Sequence, residues 1–320
     1  MKHGLLRAVL IFASLAIICS CAGGPEYGKD DLANRMQEFV INISNYAKAI
    51  KPGFIIIPQN GSELAFKGTE PGNGIRQDYI SAIDGMGIEE LFYDAKGKAI
   101  SDNERLSILR TVKSNGKTII VSDYVSSDAD FSNSLQKNRA EEFIAFPRSK
   151  NNYHYKEIPA LTDPNDTSID ELPKAKNYLY LISTDSYPGD RAGMLNAIKA
   201  TNYDIVLIDL FFEGEVLLSS EIDSLKTKQN GARRLVIAYV SIGSAEKYRY
   251  YFQKGWKKGS PSWIKKNYAG YSDEFWVEFW DPEWQNIIYK GNNSYIKQII
   301  DAGFDGAYLD NVEAYYFLSN

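Results

Sequence analysis

Along this 320-residue chain, acids and amides stand where short apolar runs stop, and that spacing suits carboxylate chemistry. Ala307, Tyr308 and Leu309 lead into Asp310 and Asn311, and residues 205–208 lead into Asp209. Asp123 lies near the end of the run 118–124, and Gln59 and Asn60 follow residues 54–57. Parallel strands present side chains at their C-terminal ends to a common mouth, where barrel enzymes keep their chemistry. Paired carboxyls at such a mouth suit general acid–base work, one giving a proton and a second attacking or activating water. Asp310 is the first candidate, and its bland alternative is an aspartate capping the next segment.

Other side chains would hold a sugar. Tyr239, Trp280 and Tyr308 offer flat faces for a pyranose ring, although packing inside a barrel accounts for them equally well. Gln59 and Asn60 suit hydroxyl recognition, and Asn60-Gly61 is also an ordinary turn. Glu246 and Arg249 stand three apart, so they either contact ligand or pair with each other. Asp209 either orients a ligand or joins a core ion pair. Asp281 before Pro282 is read as a helix N-cap. With His3 and His154 as the only histidines, a histidine metal site or a Ser-His-Asp triad is not expected. No metal or organic cofactor is expected.

Composition bounds the class. The chain is 44% hydrophobic and 24% charged, enough to bury a large core. A net charge of -5 with no large basic cluster argues against a nucleic-acid partner and permits a polycationic one. Aromatic residues make up 13%, including 22 tyrosines, in keeping with a carbohydrate ligand.

Lys2, His3 and Arg7 followed by an apolar run to Ile18 form a secretory signal too short to span a bilayer stably. Ile18-Cys19-Ser20-Cys21 resembles a bacterial lipobox, with Cys21 as the lipidation site. The expected organisation is a lipoprotein signal over 1–20, a tether over 21–30 and one domain over 31–320. The expected location is an exported, membrane-anchored lipoprotein, in the outer membrane and facing the periplasm or the surface.

The elements that would position these residues alternate. Apolar residues from Leu32 to Ile50 recur at three and four, which predicts a helix over 30–50. Strands are expected at 54–57, 88–94, 118–124, 178–183, 205–209, 235–241, 275–280 and 307–310. Helices are expected at 104–114, 131–145, 191–200 and 220–229, a loop at 84–87 and a proline-rich loop over 146–177. Eight strands mostly separated by helices predict an α/β fold, a (β/α)8 TIM barrel. A doubly wound sheet is the alternative, although no G-x-G-x-x-G follows a strand. The leading helix would close the ring, since the chain stops soon after strand eight.

Three motifs in order carry a resemblance. Residues 239–249 (YVSIGSAEKYR), 279–285 (FWDPEWQ) and 303–310 (GFDGAYLD) resemble the bacterial branch of glycoside hydrolase family 114, the endo-α-1,4-polygalactosaminidases and their barrel relatives. Residues 54–61 and 84–93 resemble segments that these relatives carry after the Y-L-D strand, whereas here they precede it. The order implies a circularly permuted barrel. The resemblance implies two carboxylates on successive strands as nucleophile and acid/base, hydrolysing an α-linked galactosamine-containing or similar polysaccharide. The earlier acid of the family's fungal members aligns with Glu278, and their later glutamate aligns with Tyr308, two residues before Asp310. Alternation places Tyr308 and Asp310 on one face, so Asp310 would supply the missing carboxylate, with Glu278 as its partner. The alternative is a non-catalytic glycan-binding surface lipoprotein that retains the fold.

Overall fold

The computed structural model describes residues 27–149 and 152–319. It opens on helix α1, Lys29–Ile50, whose recurring apolar residues bury Met36, Phe39, Val40 and Ile43. Asp30 and Asp31 in its first turn and Lys48 in its last complement the helix dipole. The other helices are α2 Gln77–Ala82, α3 Asn103–Ser114, α4 Asp128–Ala140, α5 Arg191–Lys199, α6 Ser219–Leu225, α7 Pro282–Gln285, α8 Tyr295–Asp301 and α9 Ala314–Leu318.

Strands β1 Ile55–Pro58, β2 Gly85–Glu89, β3 Thr118–Ser122, β4 Tyr124–Val125, β5 Ile144–Ala145 and β6 Arg148–Ser149 lie in the first half. The second half holds β7 Tyr178–Leu181, β8 Ile205–Asp209, β9 Phe211–Phe212, β10 Glu215–Val216 and β11 Leu235–Ser241. It ends with β12 Ser244–Glu246, β13 Ile264–Asn267, β14 Glu274–Val277 and β15 Gly306–Asp310.

Five strands pair in the order β1-β15-β11-β8-β7, and three more in the order β2-β3-β5. Every pairing in these two sheets is parallel. A parallel bridge from Gln59 to Gly87 joins β1 to β2. Apart from the step from β5 to β7, which no ladder joins, each of these eight strands neighbours the next such strand in the chain, and the last, β15, pairs with the first. Between β5 and β7 the Tyr155 carbonyl accepts from the Ile182 and Ser183 amides, and Phe146 packs on Tyr178. Helices α3, α4, α5, α6 and α8 lie in the connections, giving a mixed α/β architecture on parallel strands. Runs such as Leu179, Val206 and Val236 are fully buried, as expected when strands are covered on both faces.

Several expected boundaries are corrected. The stretch 275–280 is not a parallel strand: β14 pairs antiparallel with both β12 and β13, and an apolar run reads alike in either setting. Residues 84–87 are not simply a loop, because β2 begins at Gly85. Its glycines are needed for close approach: a Cβ on Gly87 would lie 2.0 Å from the Tyr308 hydroxyl, and one on Gly85 2.8 Å from the Thr118 carbonyl. Helix α4 stops at Ala140, and Ile144 and Ala145 form β5 against β3. The loop after it contains β6, which brings Arg148 to the site.

Among the described residues no helix is long and apolar enough to cross a membrane. The expected signal segment and lipidation at Cys21 lie outside the described residues.

Candidate active site at the strand ends

Asp310 closes β15, and its register with β11 sets Tyr239 beside Tyr308 and Ser241 beside Asp310. The Tyr239 hydroxyl donates to Asp310 Oδ2 at 2.5 Å, and the Asn311 amide donates to Oδ1 at 2.7 Å. Burial pushes the half-buried Asp310 carboxyl up to about 7, and the charge of Glu89 adds to it, against the two hydrogen bonds. Tyr308 shares its face but is 1% exposed, packed edge-on against Tyr180. Tyr308 is thus a floor beneath Asp310, and its expected role as a sugar platform is corrected. Tyr180 in turn stacks on Tyr155 at 3.7 Å and donates to Gln59 Oε1 at 3.2 Å. Gln59 is 3% exposed, so this contact replaces its expected contact with substrate.

Glu89 closes β2 on the neighbouring side. Its Oε1 accepts from the Tyr155 hydroxyl, which is also 2.9 Å from Ser122 Oγ. Arg148 Nη1 lies 3.5 Å from the same oxygen, and its guanidinium sits 4.2 Å from the Tyr155 ring centroid. Asn60 holds this edge in a left-handed conformation at φ 59°. Its Oδ1 accepts from the Glu89 amide at 3.0 Å and from Arg105 at 2.8 Å, while its Nδ2 donates to Glu313 Oε2 at 3.2 Å. Asn60 is therefore both turn and hub. Burial raises Glu313 to about 7, against the opposing charge of Arg105.

A second hub is Asn311, also left-handed at φ 62°. Its Nδ2 donates to Ser241 and Ser244 hydroxyls and to Glu274 Oε1 at 3.2 Å, and its Oδ1 accepts from Tyr268 at 3.1 Å. Burial, then the charge of Glu246, raises Glu274 to about 8. Asp209 at the tip of β8 takes both its oxygens to Arg249 Nη1, at 2.9 and 2.7 Å. Arg249 Nε donates to Glu246 at 2.6 Å, so the expected Glu246–Arg249 pair forms, with Asp209 as its third member. Desolvation raises Asp209 even so, against the neighbouring Arg249 charge.

Three expected site residues stand elsewhere. Asp123 is fully buried and accepts from the Leu91, Phe92 and Tyr93 amides and from Ser134 and Asn138. It anchors the loop after β2 and is not open to a substrate. Trp280 packs edge-on against Tyr27, with the Arg35 guanidinium 5.6 Å from its ring centroid, beside α1. Glu278 pairs with the half-exposed Lys265 at 2.9 Å. Its strand reaches the Asn311 hub through Glu274, four residues earlier, or about 13 Å of extended chain. Asp281 caps α7 through the Glu283 amide at 2.8 Å, as expected. The residues that sequence reasoning missed are Glu89, Glu274, Glu313, Arg148 and Tyr155. Glu89 alone carried a signal, an acid behind the apolar Ile88, hidden by reading 84–87 as a loop.

An uncharacterised protein of Deinococcus radiodurans is 35% identical over 121 residues, covering 38% of this chain and 37% of the relative. One from Methanocaldococcus jannaschii is 36% identical over 124 residues, 38% and 34% of the two chains. One from Thermotoga maritima is 29% identical over 120 residues, 38% and 36%. The chain thus spans little more than a third of the length of these relatives. Residues 164–320, which carry Asp209, Tyr239, Arg249 and Asp310, match the model of glycoside-hydrolase family GH114.

Proposed function

We propose that the protein is a glycoside hydrolase built on a (β/α)8 barrel, circularly permuted, that cuts an α-linked galactosamine-containing or similar polysaccharide. The cyclic order of the eight parallel strands supports the barrel. The pairing of β1 with β15 supports the permutation, because it sets the segment 54–61 beside the Y-L-D strand in space. The family match over 164–320 supports glycosidase chemistry. Glu89, Asp310, Glu313 and Glu274 set four acidic groups around one mouth, in keeping with an amino-sugar substrate.

Asp310 carries the reading. A carboxyl that titrates near 7, at a strand end, bonded to Tyr239 and partly open, is suited to protonate a leaving oxygen at neutral pH. The expected leader and lipobox further support an exported protein anchored to a membrane through Cys21. A second reading, a glycan-binding protein without turnover, is favoured by Tyr308 standing where the fungal enzymes have a glutamate.

The test is reducing-end release from a panel of α-linked amino-sugar polymers by the chain from Ala22 onward, with Asp310→Asn beside it. Release that disappears in the folded variant supports a hydrolase using Asp310. Binding without release in the unmutated protein supports the second reading.

A further inference from the structure

We propose that Glu89 is the nucleophile that works with Asp310, an assignment that rests on the hydrolase reading. The geometry comes from the layer below. The Tyr308 side chain reaches across β1 to β2, so that a Cβ on Gly87 would lie 2.0 Å from its hydroxyl and 2.4 Å from its ring. Side chains alternate along strands, so the residues two further on, Asp310 and Glu89, face the same interior one layer nearer the mouth. Pairing agrees: Leu309 sits beside Pro58, and Gln59 bridges to Gly87, which keeps the ends of β15 and β2 level.

One tyrosine spans the gap in the lower layer. An aspartate and a glutamate stand one layer up on the same two strands, so both carboxyls border the same space. A nucleophile at Glu89 requires the retaining separation, about 5–5.5 Å, rather than the wider inverting one. The electrostatics are consistent, since Glu89 contributes most among the charges that raise Asp310.

The surroundings of Glu89 suit a nucleophile. Tyr155 holds one oxygen, Arg148 stands 3.5 Å from it, and the backbone amide is fixed by Asn60. In the first step a Glu89 oxygen bonds to the anomeric carbon. The glycosidic C–O bond breaks with its electron pair on the leaving oxygen, which takes the proton of Asp310. In the second step water attacks the same carbon and gives a proton to Asp310, and the bond to Glu89 breaks, restoring both groups.

The experiment compares Glu89→Gln, Glu89→Ala and Glu278→Gln on a polymer that the unmutated chain cuts, with azide added to each. Glu89→Gln is expected to lower kcat on the order of 10³-fold or more. Azide is expected to restore turnover in Glu89→Ala and to yield a glycosyl azide. A carboxyl NMR titration of Asp310, read without substrate, is expected to move to lower pH in Glu89→Gln. Glu313, Tyr239, Tyr268 and Glu274 also face Asp310 and stay in place in that variant.

Folded Glu89→Gln within tenfold of the unmutated kcat, or loss confined to Glu278→Gln, would overturn the assignment. An unmoved Asp310 titration would overturn the facing geometry and the assignment with it. If the unmutated chain cuts no polymer, the hydrolase reading fails as well, a result separable from failure of Glu89 alone.

Discussion

The Tyr239 hydroxyl lies 2.5 Å from Asp310 Oδ2, across two strands whose register sets Tyr239 beside Tyr308 rather than beside Asp310 itself. The tyrosine therefore leans one layer toward the mouth and reaches the carboxylate from below. A donor aimed at a carboxylate favours its charged form. In Tyr239→Phe the Asp310 ionisation should move to higher pH, and the alkaline limb of kcat/KM should move with it. We expect kcat to fall about tenfold, on the order of 1.4 kcal/mol, from lost orientation. A pH–rate profile of the variant checks both.

Asp310, Glu313 and Glu274 all bind protons more tightly in the folded chain than their ordinary values allow, to about 7, 7 and 8. Groups raised on folding contribute stability that is fully present below their unfolded values, near 4, and lost as pH rises through the folded ones. Stability should thus decline between pH 5 and pH 8, as measured by urea unfolding. Asp310→Asn removes the buried charge that forms above pH 7, so it should stabilise the chain at pH 8, by about 1–2 kcal/mol or a Tm gain of roughly 2–4 °C, and leave it little changed near pH 4.

Gly87 makes room for Tyr308. Gly87→Ala sets a methyl against the hydroxyl and ring of a buried tyrosine, which we expect to cost about 2–3 kcal/mol in urea unfolding. Tyr308→Leu in the same chain should recover part of that cost, so the two substitutions should be clearly non-additive in a double-mutant cycle.

An exposed tyrosine lies beside the Asn311 hub. Tyr271 is 42% exposed and packs edge-on at 5.6 Å against Tyr268, whose hydroxyl donates to Asn311 Oδ1. An exposed ring near the proposed active site offers a stacking face for a sugar. Tyr271→Ala should raise KM about tenfold with kcat nearly unchanged, and Tyr271→Phe, which keeps the ring, should leave KM close to the parent. Initial rates over a range of polymer concentration distinguish them.

Sequence alone determined the strand-end acid at 310, the leading helix, most of the parallel strands and the family motifs of the second half. These are local: an apolar run, an acid behind it, and a helix whose apolar residues recur at three and four. The Asp281 cap was legible for the same reason, since capping involves residues two or three apart.

Tertiary structure decided the rest, because it depended on which strands lie side by side. Glu89 joins the site only through the pairing of β15 with β1 and of β1 with β2, which brings together residues more than 200 positions apart. Glu278 and Trp280 left the expected site because an apolar strand carries no mark of parallel or antiparallel pairing, and β14 joined β12 and β13. Asp123 turned from candidate to anchor once the loop after β2 folded onto it, since an aspartate's role depends on which backbone amides surround it.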